Sequence, residues 1–262
     1  MIPKIIHFCW LSNDPFPASI QKCIDSWKKN MPDYEIKRWS TENFDINSVP
    51  LVKEAYEAKK YAFAADYIRC YALYTDGGIY LDSDVLIHKN FSVLLNDARY
   101  VTGMEFHPLA GNLYKQQVDE AGNRRKGVKE VSGIGLQAAI MASEKEHPLM
   151  KKCLDFYKTC SLNYIMDNHL LAPIVQVLAA EKYGYKYIGE VQHIKEGIVI
   201  YPTSVFGQYR NETRGRYATH MCAGTWVTKT TKGHLINLFN RIGLYGRYMW
   251  LKDKLGLIKS GE

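Results

Sequence analysis

The spacing of apolar and polar residues in the first third of the chain alternates between strand-like and helix-like periods. Runs of β-branched and aromatic residues favour strands, and apolar residues three or four positions apart favour helices. The pattern predicts, in order, a strand over 2–9, a helix over 18–30, a strand over 34–39, a helix over 50–75 and a strand over 79–85. Strands that alternate with helices indicate an α/β domain with a mostly parallel central sheet.

The rest of the chain has weaker patterns. Residues 107–130 are polar and contain three glycines, which predicts a long loop or a hairpin near the ligand site. Apolar residues return to the core at 131–142. The pattern then predicts helices over 144–160 and 167–182, strands over 185–188 and 197–201, and a polar, basic loop over 202–218.

Composition is that of an ordinary soluble globular protein: 262 residues, 47% hydrophobic and 23% charged. No apolar run approaches the ~18 to 20 residues of a membrane-spanning helix. The first ten residues are apolar but lack a small-residue cleavage site, so we expect a buried strand rather than a signal peptide. The six cysteines have neither a C-x-x-C pair nor zinc-type spacing and are expected to stay reduced. These features predict a cytoplasmic protein, in which the sequon at 211–213 stays unmodified.

The net charge of +7 is unevenly spread, and residues 234–259 alone carry +4, from five basic residues and one aspartate. Basic residues are mixed there with Trp, Tyr and Leu, which suits an amphipathic helix on the anionic inner face of the plasma membrane. A C-terminal helix that packs on the core with a solvated basic rim explains the pattern equally well. No nucleic-acid-binding motif accompanies the charge, so nucleic acid is not an expected partner.

Two carboxylates, Asp82 and Asp84, stand at the end of the strand predicted over 79–85, where ligands bind in parallel α/β sheets. Successive side chains of an extended strand point to opposite faces, so this pair shares one face while Ser83 points away. Such a pair can bind a hard divalent cation such as Mg²⁺ or Mn²⁺, which commonly holds a phosphate or diphosphate. An Asp-x-Asp pair alone is a weak motif, because many surface turns contain one.

A second charged pair, Asp66 and Arg69, lies three residues apart and therefore on one face of the predicted helix. That face otherwise holds the apolar Ala62 and Leu73, so the two charges are expected to be buried or half-buried at a cleft. A structural ion pair is one explanation. A carboxylate and a guanidinium that bind sugar hydroxyls are the favoured one, because Asp82 and Asp84 follow closely in the chain.

Four segments carry a family resemblance: Ile-Pro-Lys-Ile-Ile-His-Phe-Cys-Trp at 2–10, Ala-Asp-Tyr-Ile-Arg at 65–69, Gly-Gly-Ile-Tyr-Leu-Asp-Ser-Asp at 77–84 and His-Met-Cys-Ala-Gly-Thr-Trp at 220–226. Together they resemble glycosyltransferase family 32, DXD enzymes with the GT-A fold, a Rossmann-like nucleotide-diphospho-sugar transferase domain. The same core resembles the glycosyltransferase domain of large clostridial toxins. The resemblance is specific over 1–95 and touches again at 220–226. It implies a GT-A catalytic domain over 1–233, followed by the basic, helical segment 234–262.

The resemblance implies a nucleotide-sugar site. Trp10 corresponds to a tryptophan that stacks on the uracil of a UDP-sugar, and the backbone of Cys9 to groups at the base edge. Core packing at a strand end is the alternative for Trp10. Asp66 and Arg69 correspond to residues that bind the sugar hydroxyls and the diphosphate region. Tyr80 corresponds to a tyrosine at the nucleotide.

The resemblance also implies a site for Mn²⁺ or Mg²⁺. Asp84 corresponds to the direct metal ligand, and Asp82 to an aspartate that contacts ribose and sugar and reaches the metal through water. His220 corresponds to a further metal or diphosphate ligand, although a lone histidine is more often structural. Thr225 stands where the family usually has serine, and Trp226 would contact the β-phosphate.

Four residues in the loosely matching middle section are further candidates for contacts to the donor sugar or the acceptor. Ser132 and Gly133 either line the donor sugar or only make a turn. Asp167 or Asn168 either lies near the anomeric carbon or forms a helix N-cap.

The resemblance thus implies metal-dependent transfer of a sugar from a UDP-linked donor to a glycan, with retention of configuration, in bacterial capsule or O-antigen synthesis. The acceptor is expected to be an oligosaccharide, lipid-linked at the membrane face, and to be selected by loops 107–130 and 202–218. Another metal-dependent nucleotide or sugar-phosphate enzyme is one alternative, although loop 12–17 lacks the Gly-rich, basic sequence of a nucleotidyltransferase. A non-catalytic carbohydrate-binding relative is the other.

Overall fold

The computed structural model describes residues 1–106, 113–208 and 215–223. The helices are α1 (Ala18–Asn30), α2 (Pro50–Glu57), α3 (Tyr61–Thr75), α4 (Leu113–Gln117), α5 (Pro148–Lys158), α6 (Leu162–Asp167) and α7 (Ala172–Glu181). The strands are β1 (Ile5–Cys9), β2 (Glu35–Trp39), β3 (Gly78–Leu81), β4 (Val85–Ile87), β5 (Tyr100–Phe106), β6 (Ile134–Ser143), β7 (Gln192–Ile194), β8 (Ile198–Tyr201), β9 (Phe206–Gly207) and β10 (Ala218–His220). The sequon and the basic segment 234–262 lie outside the described residues.

A seven-stranded sheet with the order β2-β1-β3-β6-β5-β8-β7 forms the centre of the domain. Strand β1 pairs in parallel with β2 and β3, and β5 pairs in parallel with β8. Strand β6 is antiparallel to both β3 and β5, and β7 is antiparallel to β8. Five of these seven strands therefore share one direction, and the predicted α/β class with a mostly parallel sheet is confirmed.

Helices cover both faces of this sheet. Along β3, Tyr80 points into an apolar cluster that includes residues of α2, α3, α5 and α7. Its neighbours Ile79 and Leu81 point into a second cluster, which includes residues of α1 and β4. Both faces of β3 are buried, so its side chains are apolar throughout. The strand therefore approaches solvent mainly at its carboxyl end.

A second, three-stranded sheet lies at the carboxyl end of β3, with the order β4-β10-β9. Strand β10 is antiparallel to β4 and parallel to β9. Only residues 82–84 separate β3 from β4, so the Asp-Ser-Asp segment is the connection between the two sheets.

The helix predicted over 50–75 is two helices. Helix α2 ends where Lys59 takes a φ of 55°, in the left-handed region, and the N–H of Lys60 bonds to the carbonyl of Ala55 at 2.8 Å. The sequence gives no glycine signal at this position. Helix α3 then leads into Gly78, which has a φ of 104° and where a Cβ would lie 2.6 Å from the carbonyl oxygen of Ile5.

The strand predicted over 185–188 is wrong. The side chain of Gln192 bonds to both backbone groups of Lys186, accepting from its N–H at 2.9 Å and donating to its carbonyl at 2.8 Å. Because these backbone groups are occupied, the strand that pairs with β8 forms at Gln192–Ile194 instead. Strand β8 confirms the prediction over 197–201. All six cysteines have free thiols, and no helix in the described ranges is long and apolar enough to cross a membrane.

His7 of β1 is fully buried and links three parts of the fold. Its Nδ1 accepts a hydrogen bond from the indole N–H of Trp39 at 3.1 Å, so Nε2 carries the proton and donates to the carbonyl of Gly77 at 2.7 Å. These two bonds need the neutral ring. Burial lowers the pKa of His7 below its ordinary value, and this outweighs the contributions that raise it, from the Gly77 carbonyl and Asp76.

We expect His7 to contribute a loss of stability as the pH falls below about 6.5. Histidine in the unfolded chain takes up a proton near that pH, whereas folded His7 does so only at lower pH, so acid favours unfolding. Urea unfolding of wild type and His7→Gln over this range isolates the effect. Burial also lowers the pKa of His88 and His147, but these contribute to both proteins. The variant should be less stable at neutral pH and lose less stability in acid; parallel pH profiles would contradict this.

Candidate active site

The Asp-Ser-Asp segment is a turn that leads out of the central sheet. The N–H of Asp82 donates to the carbonyl of Ala139 on β6 at 2.9 Å, and the N–H of Val85 donates to the carbonyl of Asp82 at 2.9 Å. The predicted position at a strand end is confirmed. The extended-strand argument for a shared face is wrong, because β3 ends at Leu81. Asp82 and Asp84 converge because the chain turns between the two sheets.

Strand β10 brings His220 to the same turn, because His220 lies opposite Val85 in the β4–β10 pair. Its Nε2 is 3.2 Å from Oδ1 of Asp84 and 4.0 Å from Oδ2 of Asp82. Ligand atoms of Asp82, Asp84 and His220 all lie within 4.8 Å of one another. Two carboxylates and an imidazole are donors that Mn²⁺ and similar divalent cations accept, so the three side chains fit a metal ion.

Asp84 is held in its ionised form. Its Oδ2 accepts a hydrogen bond from the N–H of Ala223 at 2.7 Å, and its carbonyl accepts one from the N–H of Met221 at 3.0 Å. Burial raises the pKa of the Asp84 carboxyl, but the charge and hydrogen bond of His220 and the Ala223 amide outweigh burial and bring the pKa below its usual value. Asp84 is therefore a carboxylate at any physiological pH.

The His220 imidazole is the counter-charge of this carboxylate. Burial alone would lower the pKa of His220, but Asp84 raises it well above its ordinary value. The protein therefore holds one positive charge beside Asp84 even without a metal. A cation that takes His220 as a ligand must displace that proton, because only neutral imidazole binds metals.

Arg69 is a buried cation that ties α3 to the carboxylate turn. Its Nη2 lies 3.0 Å from Oδ1 of Asp66 and 3.3 Å from Oδ1 of Asp82. Its Nη1 donates to the carbonyl of Ala138 at 2.8 Å, and its guanidinium lies 5.0 Å from the ring centre of Tyr80. Arg69 is only 5% exposed, so these contacts place it beneath Asp82 as a support for the turn.

Asp66 and Tyr80 complete this buried set. The hydroxyl of Tyr80 donates to Oδ1 of Asp82 at 3.1 Å, and Tyr80 itself is 1% exposed. Burial raises the pKa of Asp66 to about 7, and the neighbouring charge of Arg69 only partly opposes this. The helical spacing of Asp66 and Arg69 thus predicted a real cluster, and Tyr80 lies under Asp82.

Trp10 lies just past the carboxyl end of β1, the strand beside β3. Its indole N–H donates to the carbonyl of Asp14 at 2.9 Å, and its ring meets the edge of Phe16 with centroids 5.0 Å apart. The side chain is half-buried, so packing against Phe16 leaves part of the indole open at the edge that bears the carboxylates. The neighbouring Cys9 is a neutral thiol, because burial raises its pKa to about 12.

Ser132 and Gly133 form the turn that enters β6. Gln117 of α4 holds this turn, since its Nε2 donates to the hydroxyl of Ser132 at 3.0 Å and its Oε1 accepts from the N–H of Ser132 at 2.7 Å. Gly133 has a φ of 70°, which favours glycine. The turn alternative therefore accounts for both residues, and a contact to the donor sugar stays a prediction.

Asp167 and Asn168 lie at the end of α6, with both side chains exposed. The amide of Asn168 donates to the carbonyl of Tyr164 at 2.9 Å. The N-cap alternative is wrong, because both residues close one helix and α7 begins only at Ala172. The helix predicted over 167–182 is therefore shorter at its start. Thr225 and Trp226 lie outside the described residues.

Two polar residues at the site were missed in the sequence. Glu105, near the end of β5, is acted on by the charges of His220, Asp82 and Arg69. Gln137 on β6 is fully buried, and its amide has no hydrogen-bond partner among the described residues. A signal existed for Gln137, because a single amide interrupts the apolar run 134–142. Glu105 has no local signal, since only the sheet order brings it near the carboxylate turn.

Part of the chain that forms this site matches a known protein family. Residues 17–101 match the family described as a glycosyltransferase sugar-binding region containing a DXD motif. Residues 17–101 are therefore similar to the sugar-binding region of DXD glycosyltransferases. The match spans α1 to β5 and includes Asp66, Arg69, Asp82 and Asp84. The match agrees with the family resemblance of the segments at 65–69 and 77–84, and the domain bounds 1–233 stay a prediction.

Two curated relatives match the chain over about a hundred residues each. Inositol phosphoceramide mannosyltransferase 3 of Schizosaccharomyces pombe is 35% identical over 107 residues, which cover 38% of this chain and 29% of the relative. An uncharacterized glycosyltransferase, L373, of Acanthamoeba polyphaga mimivirus is 34% identical over 101 residues, covering 36% of this chain and 40% of the relative. The chain spans only 29% and 40% of the lengths of these two relatives.

Three solved structures of glycosyltransferases align with the chain at low sequence identity. The PaToxG glycosyltransferase aligns with a TM-score of 0.46 and 20% identity over 69% of both chains. The galactosyltransferase LgtC, solved with donor and acceptor sugar analogues, aligns with a TM-score of 0.42 and 15% identity over 84% of this chain and 87% of its own. Mouse xyloside xylosyltransferase 1 aligns with a TM-score of 0.47 and 12% identity over 85% and 99%.

Proposed function

We propose that the protein is a metal-dependent glycosyltransferase that moves a sugar from a nucleotide donor, UDP-linked, to a hydroxyl of a glycan acceptor. The observation that carries the proposal is the group of Asp82, Asp84 and His220 at the carboxyl edge of the sheet. Asp82 and Asp84 lie in the segment that matches the sugar-binding region of DXD glycosyltransferases. In α/β sheets this edge is where nucleotides bind. The buried Arg69 holds Asp82 in place. This support favours a working metal site over a non-catalytic carbohydrate-binding relative.

In this proposal a divalent cation, Mn²⁺ or Mg²⁺, supplies Lewis-acid stabilisation of the departing diphosphate when bound. Asp84 would hold it directly, and His220 would be the second ligand. Asp82 has one oxygen committed to Arg69 and Tyr80, and its other oxygen faces His220. That division suits a residue which contacts the metal through water and also reaches the ribose or sugar.

Further residues of the chain position the donor. Trp10 stacks on the base, with Cys9 at the base edge. The contacts of Thr225 and Trp226 to the diphosphate stay a prediction from the family resemblance. Asp66 and Arg69 are both buried, so they act on the donor through Asp82, whose carboxylate Arg69 orients. Retention of configuration fits the site, because the nearest carboxylates are engaged: Asp84 with His220, and Asp82 with Arg69. Attack from the face of the leaving diphosphate needs no protein nucleophile.

The acceptor and the setting are proposed on other grounds. A lipid-linked oligosaccharide at the cytoplasmic membrane face, in capsule or O-antigen synthesis, follows from the family resemblance and from the basic segment 234–262. The free thiols suit a reducing compartment. The Schizosaccharomyces pombe relative is named for mannose transfer to inositol phosphoceramide. A nucleotide-linked mannose is therefore the second candidate for the donor. Either acceptor presents its hydroxyl on a lipid anchor.

The experiment that tests this function is a hydrolysis and transfer screen with Mn²⁺. UDP-glucose, UDP-galactose, UDP-N-acetylglucosamine and GDP-mannose serve as donors, and release of the nucleoside diphosphate is measured. Turnover of one donor that stops with chelator is expected. Turnover of sugar phosphates or nucleoside triphosphates, with no nucleotide sugar consumed, would favour the alternative phosphate enzyme instead.

Trp10→Ala is expected to weaken UDP binding, because stacking of a base on an aromatic ring contributes about 1–3 kcal/mol. That range corresponds to roughly 5- to 150-fold in Kd. Trp10→Phe keeps an aromatic face and should recover most of the loss. Calorimetric titration with UDP in the presence of Mn²⁺ measures both variants. Equal affinity of wild type and Trp10→Ala would remove the indole from the base site.

A further inference from the structure

Glu105 is a carboxylate at the edge of the sheet that bears the metal group, but it belongs to another strand. It lies near the carboxyl end of β5, which shares the direction of β3 and is separated from it by β6. Neighbouring strands are about 4.8 Å apart, so β5 lies roughly 10 Å from β3. Among the described residues, the group close enough to hold one metal ion comprises Asp82, Asp84 and His220. Glu105 therefore stands beside the metal site without belonging to it.

The surroundings of Glu105 are polar and charged, although the side chain is mostly buried. Burial raises the pKa of its carboxyl, and the charge of His220 and a hydrogen bond from the side chain of Gln208 oppose that effect. Asp82 and Arg69 also act on it. A partly buried carboxyl among polar groups, at the edge of the sheet where ligands bind, is placed to contact a polar ligand.

Glu105 is also linked to both segments expected to select the acceptor. Only Phe106 separates it in sequence from the polar segment 107–130, and Gln208, which bonds to it, belongs to the segment 202–218. In the proposed function, Asp82, Asp84 and His220 hold the diphosphate of the donor. Glu105 lies on β5, two strands away from β3. It is therefore placed to contact a ligand that lies next to the diphosphate. A carboxylate can accept hydrogen bonds from two neighbouring hydroxyls of one sugar ring.

We propose that Glu105 binds hydroxyls of the acceptor sugar and positions the attacking hydroxyl beside the donor. This assignment rests on the proposed function and adds a residue that determines acceptor specificity. Its negative charge matters because carboxylates form stronger hydrogen bonds with hydroxyls than neutral amides do. Glu105→Gln keeps the shape and removes the charge, so the variant should fold.

The test uses metal and UDP as defined probes before any sugar is added. Calorimetric titration of UDP with Mn²⁺ is compared for wild type, Glu105→Gln and the control Glu35→Gln. Glu35 is exposed at the start of β2, at the opposite edge of the sheet. All three proteins should bind UDP equally. Absence of metal-dependent UDP binding in wild type would overturn the proposed function itself, and with it this assignment.

The acceptor step follows with each protein saturated with Mn²⁺ and UDP. Methyl glycosides of glucose, galactose and mannose are titrated and their binding is followed by saturation-transfer NMR. Wild type and Glu35→Gln should bind at least one glycoside, and Glu105→Gln should bind it about 10- to 100-fold more weakly. Equal glycoside binding by Glu105→Gln and wild type, or no glycoside binding by wild type, would overturn the assignment. A loss confined to UDP binding would place Glu105 on the donor and overturn it as well.

Discussion

Asp84→Asn is expected to abolish metal-dependent sugar transfer, with turnover falling by about 10²- to 10³-fold. Asparagine keeps the size of the side chain but removes the charge that both the cation and His220 require. The pKa of Asp84 lies below its usual value, so wild type offers a full negative charge at every working pH. Mn²⁺ binding, followed by electron paramagnetic resonance, should be lost in the same preparation as turnover.

The matched control for this variant is Asp76→Asn. Asp76 lies just before β3, at the end of the strand away from the metal group, and its Oδ2 is 2.7 Å from Nζ of Lys37. Both groups are partly exposed, so we expect at most about 1 kcal/mol of lost stability and unaltered turnover. If Asp84→Asn binds Mn²⁺ and turns over donor as the control does, Asp84 is not the metal ligand.

Arg69→Met is expected to destabilise the protein by about 3–5 kcal/mol, because it leaves the buried carboxylates of Asp66 and Asp82 without their cation. The effect should depend on pH. The pKa of Asp66 is already about 7, far above that of an unfolded aspartate, and it rises further without Arg69. A carboxyl that is protonated when folded and ionised when unfolded favours the folded state at low pH. The loss is therefore largest above about pH 7 and smaller near pH 5.

Arg99→Met serves as the matched control, since Arg99 pairs with Glu144 and Glu196 while 45% of its side chain is exposed. Its loss should cost less than about 1 kcal/mol. Urea unfolding of both variants and wild type at three pH values measures the difference. Equal stability of Arg69→Met and the control, at all pH values, would contradict the supporting role of Arg69.

The local pattern of apolar and polar residues predicted those helices and strands whose ends are marked in the sequence. Helix α1 has the predicted bounds 18–30, and β2 and β8 lie within the predicted ranges. The break between α2 and α3 could not be foreseen, because Lys59 adopts a left-handed conformation without a glycine. The strand at 185–188 failed for a different reason: a side chain, that of Gln192, took the backbone bonds that a strand needs.

The site shows the same division between local and long-range information. Helical spacing placed Asp66 and Arg69 together, and strand punctuation placed Asp82 and Asp84 at an edge. The apolar residues on either side of the Asp-Ser-Asp segment do not reveal that β3 and β4 belong to different sheets, because that depends on pairing with β10 more than a hundred residues later. Glu105 was missed for this reason as well, since only the order β3-β6-β5 brings it to the site.

The measurement that tests the central claim most directly is the calorimetric titration of wild-type protein with UDP, with Mn²⁺ present and then with an excess of chelator. If Asp82, Asp84 and His220 hold a cation that binds the diphosphate, UDP should bind at least about tenfold more tightly with Mn²⁺, a difference of roughly 1.4 kcal/mol. UDP affinity that is the same with and without the metal would contradict a metal-centred nucleotide-sugar site at the carboxylate turn.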